Sequence, residues 1–242
     1  MSYANITFSD RNPVKRWLQQ RRLNDAIQLT AHFQDISTVL DFGAGNGELS
    51  KRLIGFFPQV QIICYEPAVH LMAEAKINAG NFQQINFVTD IESVSKESVD
   101  LIYCLEVFEH LPKIETEAAL SLICSVLREG GIAIIGVPIE IHFPALYKGI
   151  FRMTRRFGDF DATPGNILKA TFGFPPQNRP VSEIAVNWLY HHHHLGFDYR
   201  RFRELIKSKP FMILKQSASP IPILGAWFNP EVYFVVRKIN SS

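Results

Sequence analysis

Asp41-Phe42-Gly43-Ala44-Gly45-Asn46-Gly47 follows the apolar run Thr38-Val39-Leu40 and precedes Glu48-Leu49-Ser50-Lys51-Arg52-Leu53. The β-branched run reads as a buried strand. Glycine at every second position lets the backbone take positive φ and pass close to a ligand. Leu49, Leu53 and Phe56 then open a helix that Pro58 ends, and its free N–H groups point back at the loop. Strand, glycine loop and helix N-terminus together form a nucleotide-type site.

Spacing narrows the ligand. The dinucleotide fingerprint needs a third glycine at position 48, where this chain has Glu48. No Gly-Lys-Ser/Thr follows Gly43 at P-loop spacing. The D-x-G-x-G-x-G pattern resembles motif I of the class I S-adenosylmethionine-dependent methyltransferases.

With 242 residues the chain is long enough for one large domain with a full core. Its formal charge of +2 excludes a global polyanion-binding character, although basic clusters exist locally. Three cysteines, two of them in apolar strand-like runs, suggest buried thiols and a cytoplasmic protein. The polar N-terminus lacks a signal-peptide core, and no apolar run reaches membrane-spanning length.

Strands and helices alternate after the glycine loop. Val60–Tyr65 is the second strand and closes on Glu66-Pro67, where an α/β fold presents a carboxylate to ribose hydroxyls. Ile85–Asp90 is a third strand, and Asp90 doubles as a helix N-cap candidate. Val99–Leu105 is a fourth, running into a short helical turn. Beyond Pro112 a helix is expected with Ile114, Ala118, Leu122 and Val126 on its apolar stripe, stopped by Gly130-Gly131. Ile132–Val137 is the fifth strand, and Phe211–Lys215 and Val232–Arg237 are two more. This alternation demands a doubly wound sheet, seven-stranded, mostly parallel, with the last strand antiparallel as in the resembled family.

The expected organisation is a single α/β domain. Residues 1–34 form an N-terminal helical lid, 35–138 the cofactor-binding core, 139–209 a cap inserted after the fifth strand, and 210–242 the terminal strand pair. The basic residues of 10–34 (Arg11, Lys15, Arg16, Arg21, Arg22) fit either a solvated helix face or a contact to an anionic substrate. The resemblance spans residues 35–138. It implies S-adenosyl-L-methionine held by Asp41, Gly43, Ala44, Gly45, Gly47, Glu66, Pro67, Asp90, Ile91 and Leu105.

Glu106, Glu109 and His110 stand at i, i+3 and i+4, one face of a helical turn. This E-x-x-E-H segment is similar to those of ubiquinone-pathway O-methyltransferases and small-RNA 2′-O-methyltransferases. That likeness implies a divalent cation, Mg, Mn or Zn, on Glu106, Glu109, His110 and a further histidine. Many related methyltransferases carry such a segment with no metal role, where His110 merely lines the pocket. Tyr190-His191-His192-His193-His194 supplies the further histidine, and extended geometry lets at most two of the four face one site. His192, His193 and His194 remain open, with His194 selected. His110 and His194 are the candidate catalytic residues.

Tyr147–Phe157 alternates aromatics and cations, with Phe151 and Met153 able to face apolar matter while Arg152, Arg155 and Arg156 face phosphates. A cap helix packed on its own domain is the default reading, with peripheral membrane contact or a grip on nucleic acid the alternatives. The expected reaction is methyl transfer to a hydroxyl of a small-molecule or lipid-linked metabolite. RNA 2′-O-methylation and a non-catalytic cofactor-binding subunit are the alternatives, the former opposed by the near-neutral charge.

Overall fold

The computed structural model describes residues 13–185 and 188–240. Helix α1 (Pro13–Gln28) precedes strand β1 (Thr38–Phe42), helix α2 (Glu48–Phe56) and β2 (Gln61–Tyr65). Then come α3 (Val69–Ala79), β3 (Ile85–Val88), β4 (Val99–Leu105), α4 (Lys113–Val126) and β5 (Leu127–Pro138). The following segment contains α5 (His142–Arg156), α6 (Pro164–Thr171), the hairpin β6 (Ser182–Ala185) and β7 (Trp188–Tyr190), and α7 (Tyr199–Lys207). The chain closes with β8 (Phe211–Ser219), the short α8 (Gly225–Phe228) and β9 (Glu231–Lys238).

Seven strands form one sheet in the order β3-β2-β1-β4-β5-β9-β8. The first five pair in parallel, and β9 inserts antiparallel between β5 and β8. This is the expected Rossmann-like methyltransferase fold. The order reverses between β1 and β4, so a crevice opens at their carboxyl ends, where such sheets take their ligands.

The central strands β1, β4 and β9 and the second half of β5 are buried on both faces, which is why they read as mostly apolar runs, whereas edge strand β8 leaves Met212 and Leu214 exposed. Along β4, Leu101 and Tyr103 pack with α1, α2 and α3, whereas Ile102 and Cys104 pack with α4 and α7. Leu23, Ala26 and Ile27 seat α1 in the first layer. Tyr103 OH meets Thr30 Oγ1 at 2.6 Å, and Tyr233 OH donates to the Arg22 carbonyl at 3.0 Å. All three cysteines are free, Cys64 and Cys104 buried.

Three local expectations are corrected. Helix α4 buries Thr116, Ala119, Leu120, Ile123 and Val126, while Ile114 is 80% exposed, so the apolar stripe is rotated from the one read in sequence. Its Ala- and Ser-rich composition left more than one candidate stripe. The helix ends at Val126, and Gly130 and Gly131 lie inside the longer β5, with Gly130 at φ 71. The glycine pair therefore marks a strand irregularity rather than a helix cap. Residues 106–111 form turns instead of a helical turn, because Glu106 takes φ 56 and donates its N–H to the Gly136 carbonyl.

Candidate functional site

The glycine loop hangs on β2. Gly43, Gly45 and Gly47 all have positive φ. At Gly43 a side chain is excluded twice, since a Cβ there would lie 2.5 Å from Val107 Cγ2. At Gly47 it would meet Ala75 Cβ at 3.1 Å, so glycine lets α2 and α3 approach. The Ala44 N–H donates to the Tyr65 carbonyl at 2.8 Å.

Asp41 is buried at the end of β1, and its Oδ2 accepts from Ser50 N at 3.0 Å and Ser50 Oγ at 2.7 Å. It thereby fixes the start of α2 against the strand. Burial drives its pKa up to about 7, against the two bonds from Ser50. Glu66 spans the crevice: Oε2 accepts from Gly45 N at 2.8 Å and Oε1 from Ala68 N at 2.9 Å. Burial raises its pKa although both N–H groups oppose the shift. Each oxygen keeps a second acceptor position. Asp90 caps the 3₁₀ turn Ile91–Ser93 by accepting from Glu92 N at 2.9 Å, and Ile91 beside it is buried. Pro67 and Leu105 flank the same crevice ends, half-buried at the close of β2 and β4.

Beyond β4 the structure joins two segments distant in sequence. The His191 N–H donates to the His110 carbonyl at 2.8 Å, and His110 Nδ1 lies 2.9 Å from the His191 carbonyl. The second contact requires Nδ1–H, so the neutral ring leaves its lone pair on Nε2. Arg179 adds a clamp, donating to the carbonyls of both Glu109 and His193. The Tyr190 ring stacks on His110 at 4.4 Å, and His194 meets it edge-on at 4.7 Å.

Of the histidine run, His194 turns towards this group. His193 instead points Nδ1 at Asp161 Oδ1, 3.0 Å away, while His191 Nδ1 lies 2.9 Å from the Pro180 carbonyl and His192 is exposed. Ligand-capable atoms of Glu109, His110 and His194 lie within 4.8 Å of one another. Glu109 is completely buried between Phe108, itself buried, and the half-buried His110. Neither of its oxygens has a hydrogen-bond partner among the described residues. Burial, reinforced by the neighbouring charge of Glu106, pushes its carboxyl well above the usual range. Burial also keeps both imidazoles neutral, lowering His110 and bringing His194 down to about 3.

Glu106 stands apart from these three. Its Oε2 pairs with Arg22 Nη1 at 2.9 Å, and Arg22 Nε reaches Glu231 Oε2 at 3.3 Å. Burial acts against its charge, yet Arg22 holds its carboxyl below the ordinary value. The sequence leaves Arg22 open between a solvated helix face and a lid or anionic-substrate contact, and does not single out Glu231. An acid directly after Pro230 and before an apolar strand was the available signal.

A family model described as a methyltransferase domain matches residues 14–162, more than half of the chain. The chain belongs to this methyltransferase family. A comparison with curated proteins gives no match. Among solved structures, the N-methyltransferase NodS of Bradyrhizobium japonicum, bound to S-adenosyl-L-homocysteine, is similar with 14% identity and a TM-score of 0.57. The alignment covers 96% of this chain and 90% of that one. The 1,6-didemethyltoxoflavin-N1-methyltransferase of Burkholderia thailandensis, bound to 1,6-didemethyltoxoflavin and S-adenosylhomocysteine, aligns at 16% identity and TM-score 0.57. It covers 98% of this chain and 86% of that one. A protein of Pyrococcus horikoshii reaches TM-score 0.62 at 12% identity, covering 98% and 96%. These likenesses show a shared fold. In the methyltransferase described here, the crevice built on Gly43, Gly45, Gly47 and Glu66 and the cluster of Glu109, His110 and His194 both lie beyond the carboxyl ends of the parallel strands.

Proposed function

We propose that the protein transfers the methyl group of S-adenosylmethionine to a hydroxyl oxygen of a small-molecule or lipid-linked acceptor. The donor lies over the glycine loop, with Glu66 accepting from the ribose hydroxyls and Asp90 and Ile91 at the adenine. The acceptor enters between this crevice and the Glu109, His110, His194 cluster. Residues 139–209 act as its cap and α1 as a lid, tied across the site by Arg22.

The observation that carries the hydroxyl reading is Glu109, a fully buried carboxylate with no described hydrogen-bond partner beside two neutral imidazoles. One carboxylate and two imidazoles are a donor set suited to a divalent cation. His110 also shows the support expected of a ligand, its second ring nitrogen held by a backbone carbonyl. When bound by Glu109, His110 and His194, a divalent cation supplies the charge that lowers the acceptor hydroxyl's pKa. Glu106 would add a second carboxylate to that set only by leaving Arg22, its partner in this structure.

Methyl transfer is an in-line displacement. The carbon–sulfur bond breaks with its electron pair going to sulfur while the carbon–oxygen bond forms, so positioning supplies most of the rate. The chain contributes by fixing the donor on a rigid loop, shutting out water with the cap and presenting neutral imidazole nitrogen. His110 Nε2, held in the tautomer that keeps its lone pair, is the group able to take the hydroxyl proton if no cation is present.

Activity measured in chelator tests the reading. Transfer to hydroxyl acceptors should stop, S-adenosylhomocysteine binding should persist, and Mg²⁺, Mn²⁺ or Zn²⁺ should restore turnover. Full activity in chelator would remove the cation from the mechanism. Methylation of amine acceptors alone would overturn the hydroxyl assignment.

A further inference from the structure

Helix α5 is built inside out. Its inward side carries Lys148 and Arg152, both paired with the completely buried Glu140: Lys148 Nζ at 3.0 Å from Oε1 and Arg152 Nη1 at 2.8 Å from Oε2. Arg152 also reaches the buried Asp161 at 3.3 Å. Gly149 lets the same side close on α6, where its Cβ would fall 2.6 Å from Ile167. The arginine that the sequence suggested for phosphates therefore points into the protein.

The outward side is apolar instead. Phe143, Ile150 and Phe151 are 47%, 49% and 45% exposed, and with Tyr147 they follow one helical stripe. A second element, remote in sequence, extends it. The Trp227 ring stacks on His142 at 4.1 Å, and the Phe228 ring lies 5.6 Å from Phe143. Trp227 and Phe228 are 62% and 54% exposed, and Ile223 in the adjoining turn is 91% exposed. Folding gains nothing from apolar side chains left this open, and contiguous patches of this kind mark interaction sites.

We propose that this face docks the protein on an anionic lipid bilayer, with Ile223 and Trp227 entering the acyl boundary and α5 lying along the surface. Charge and shape select that occupant. Helix α5 contains Lys148, Arg152, Arg155 and Arg156 and no acidic residue, and residues 220–229 contain no ionisable side chain. Lys148 and Arg152 neutralise Glu140 and Asp161, Arg156 pairs with Asp161 and the exposed Asp159, and Arg155 lies over the exposed Phe151 ring at 4.7 Å, at the stripe's edge. A tryptophan and phenylalanines beside a cation, without acids, match the headgroup boundary of a bilayer. A side chain 91% exposed sits on a tip, and a tip inserts into a deformable acyl layer more readily than it fits a flat protein face. The proposal concerns this surface and does not depend on a hydroxyl or lipid-linked acceptor.

Flotation of the full chain tests it. Vesicles of phosphatidylcholine with about a quarter phosphatidylglycerol should carry the protein upward, vesicles of phosphatidylcholine alone should carry less of it, and Trp fluorescence should shift to the blue. The double variant Ile223→Asp, Trp227→Gln should bind at least tenfold more weakly, the loss expected when two buried apolar groups are removed. Arg155→Gln should weaken binding several-fold on the anionic vesicles alone. Both variants replace exposed side chains, so unchanged melting temperatures and S-adenosylhomocysteine binding confirm that they fold. Three results would overturn the proposal. These are wild-type protein remaining at the bottom with both vesicle types, equal binding by the double variant, and self-association of the wild type lost in the double variant. The last would make the face a contact between copies of this chain.

Discussion

Replacing Glu109 by Gln removes an ionisable carboxyl while keeping the side chain's shape, and its consequences run in opposite directions for stability and for cation binding. The carboxyl is completely buried, its oxygens have no described hydrogen-bond partner, and His110 Nε2 lies 3.8 Å away. Its pKa is raised above the ordinary 4.5, first by burial and then by Glu106. Between 4.5 and that raised value the folded state therefore binds more protons than the unfolded one, so this residue's contribution to stability falls as pH rises. Gln does not titrate. Its amide stays buried, so only the ionisation part of the cost is relieved, about 1–2 kcal/mol out of the range for an unpaired buried polar group. For a chain of this size that is a rise of roughly 2–8 °C in melting temperature at pH 8, vanishing near pH 4.5. Divalent cation at about a hundred times its dissociation constant should add about 2.7 kcal/mol to the wild type and nothing to Glu109→Gln. Scanning calorimetry with chelator and with Mg²⁺, Mn²⁺ or Zn²⁺ reads both effects. A variant less stable than wild type in chelator, or equally stabilised by cation, would refute the assignment of Glu109 as a ligand kept ready at a cost in stability.

Four further substitutions test neighbouring parts of the site. Glu66→Ala frees the N–H groups of Gly45 and Ala68 and leaves ribose hydroxyls unpaired, so S-adenosylhomocysteine affinity should fall by about 1–3 kcal/mol; unchanged affinity in titration calorimetry would contradict the role. Gly43→Ala combines φ 77 with a 2.5 Å clash against Val107 and should cost more stability than Gly45→Ala, whose Cβ meets nothing within 4 Å; urea melts of the pair check the order. Arg22→Ala strips Glu106 and Glu231 of their shared cation and should destabilise by about 3 kcal/mol at neutral pH, low in the range for breaking a buried pair because Arg22 keeps 28% exposure. A loss below about 1 kcal/mol would show that this contact contributes no more than an ordinary surface ion pair.

The parallel core and its succession of strands and helices were legible in the sequence because their causes are local. Strands buried on both faces need β-branched apolar runs, such as Thr38–Leu40 and Val99–Cys104, and a helix that must begin at a ligand needs the glycine loop before it. Positive φ at Gly43, Gly45 and Gly47 follows from glycine's missing Cβ and shows in the spacing alone. The α4 stripe was misread because its Ala and Ser residues allow several faces, and only packing on β4 and β5 chose one. The cluster of Glu109, His110 and His194 is a product of tertiary structure. Glu106 and Glu109 sit three residues apart, yet Glu106 turns to Arg22 through the left-handed backbone at φ 56, whereas Glu109 stays with His110. His194 stands out from its three neighbours because the run pairs with the Glu109–His110 turn through one backbone hydrogen bond and one from the His110 ring, some eighty residues apart in sequence. The direction of α5 was settled in the same way: buried Glu140 and Asp161 need counter-charges, and neutralising them draws Lys148 and Arg152 inward and turns the aromatic side to the surface. Side-chain pattern specifies which residues are able to face a core or a ligand, and long-range electrostatics decide which of them do.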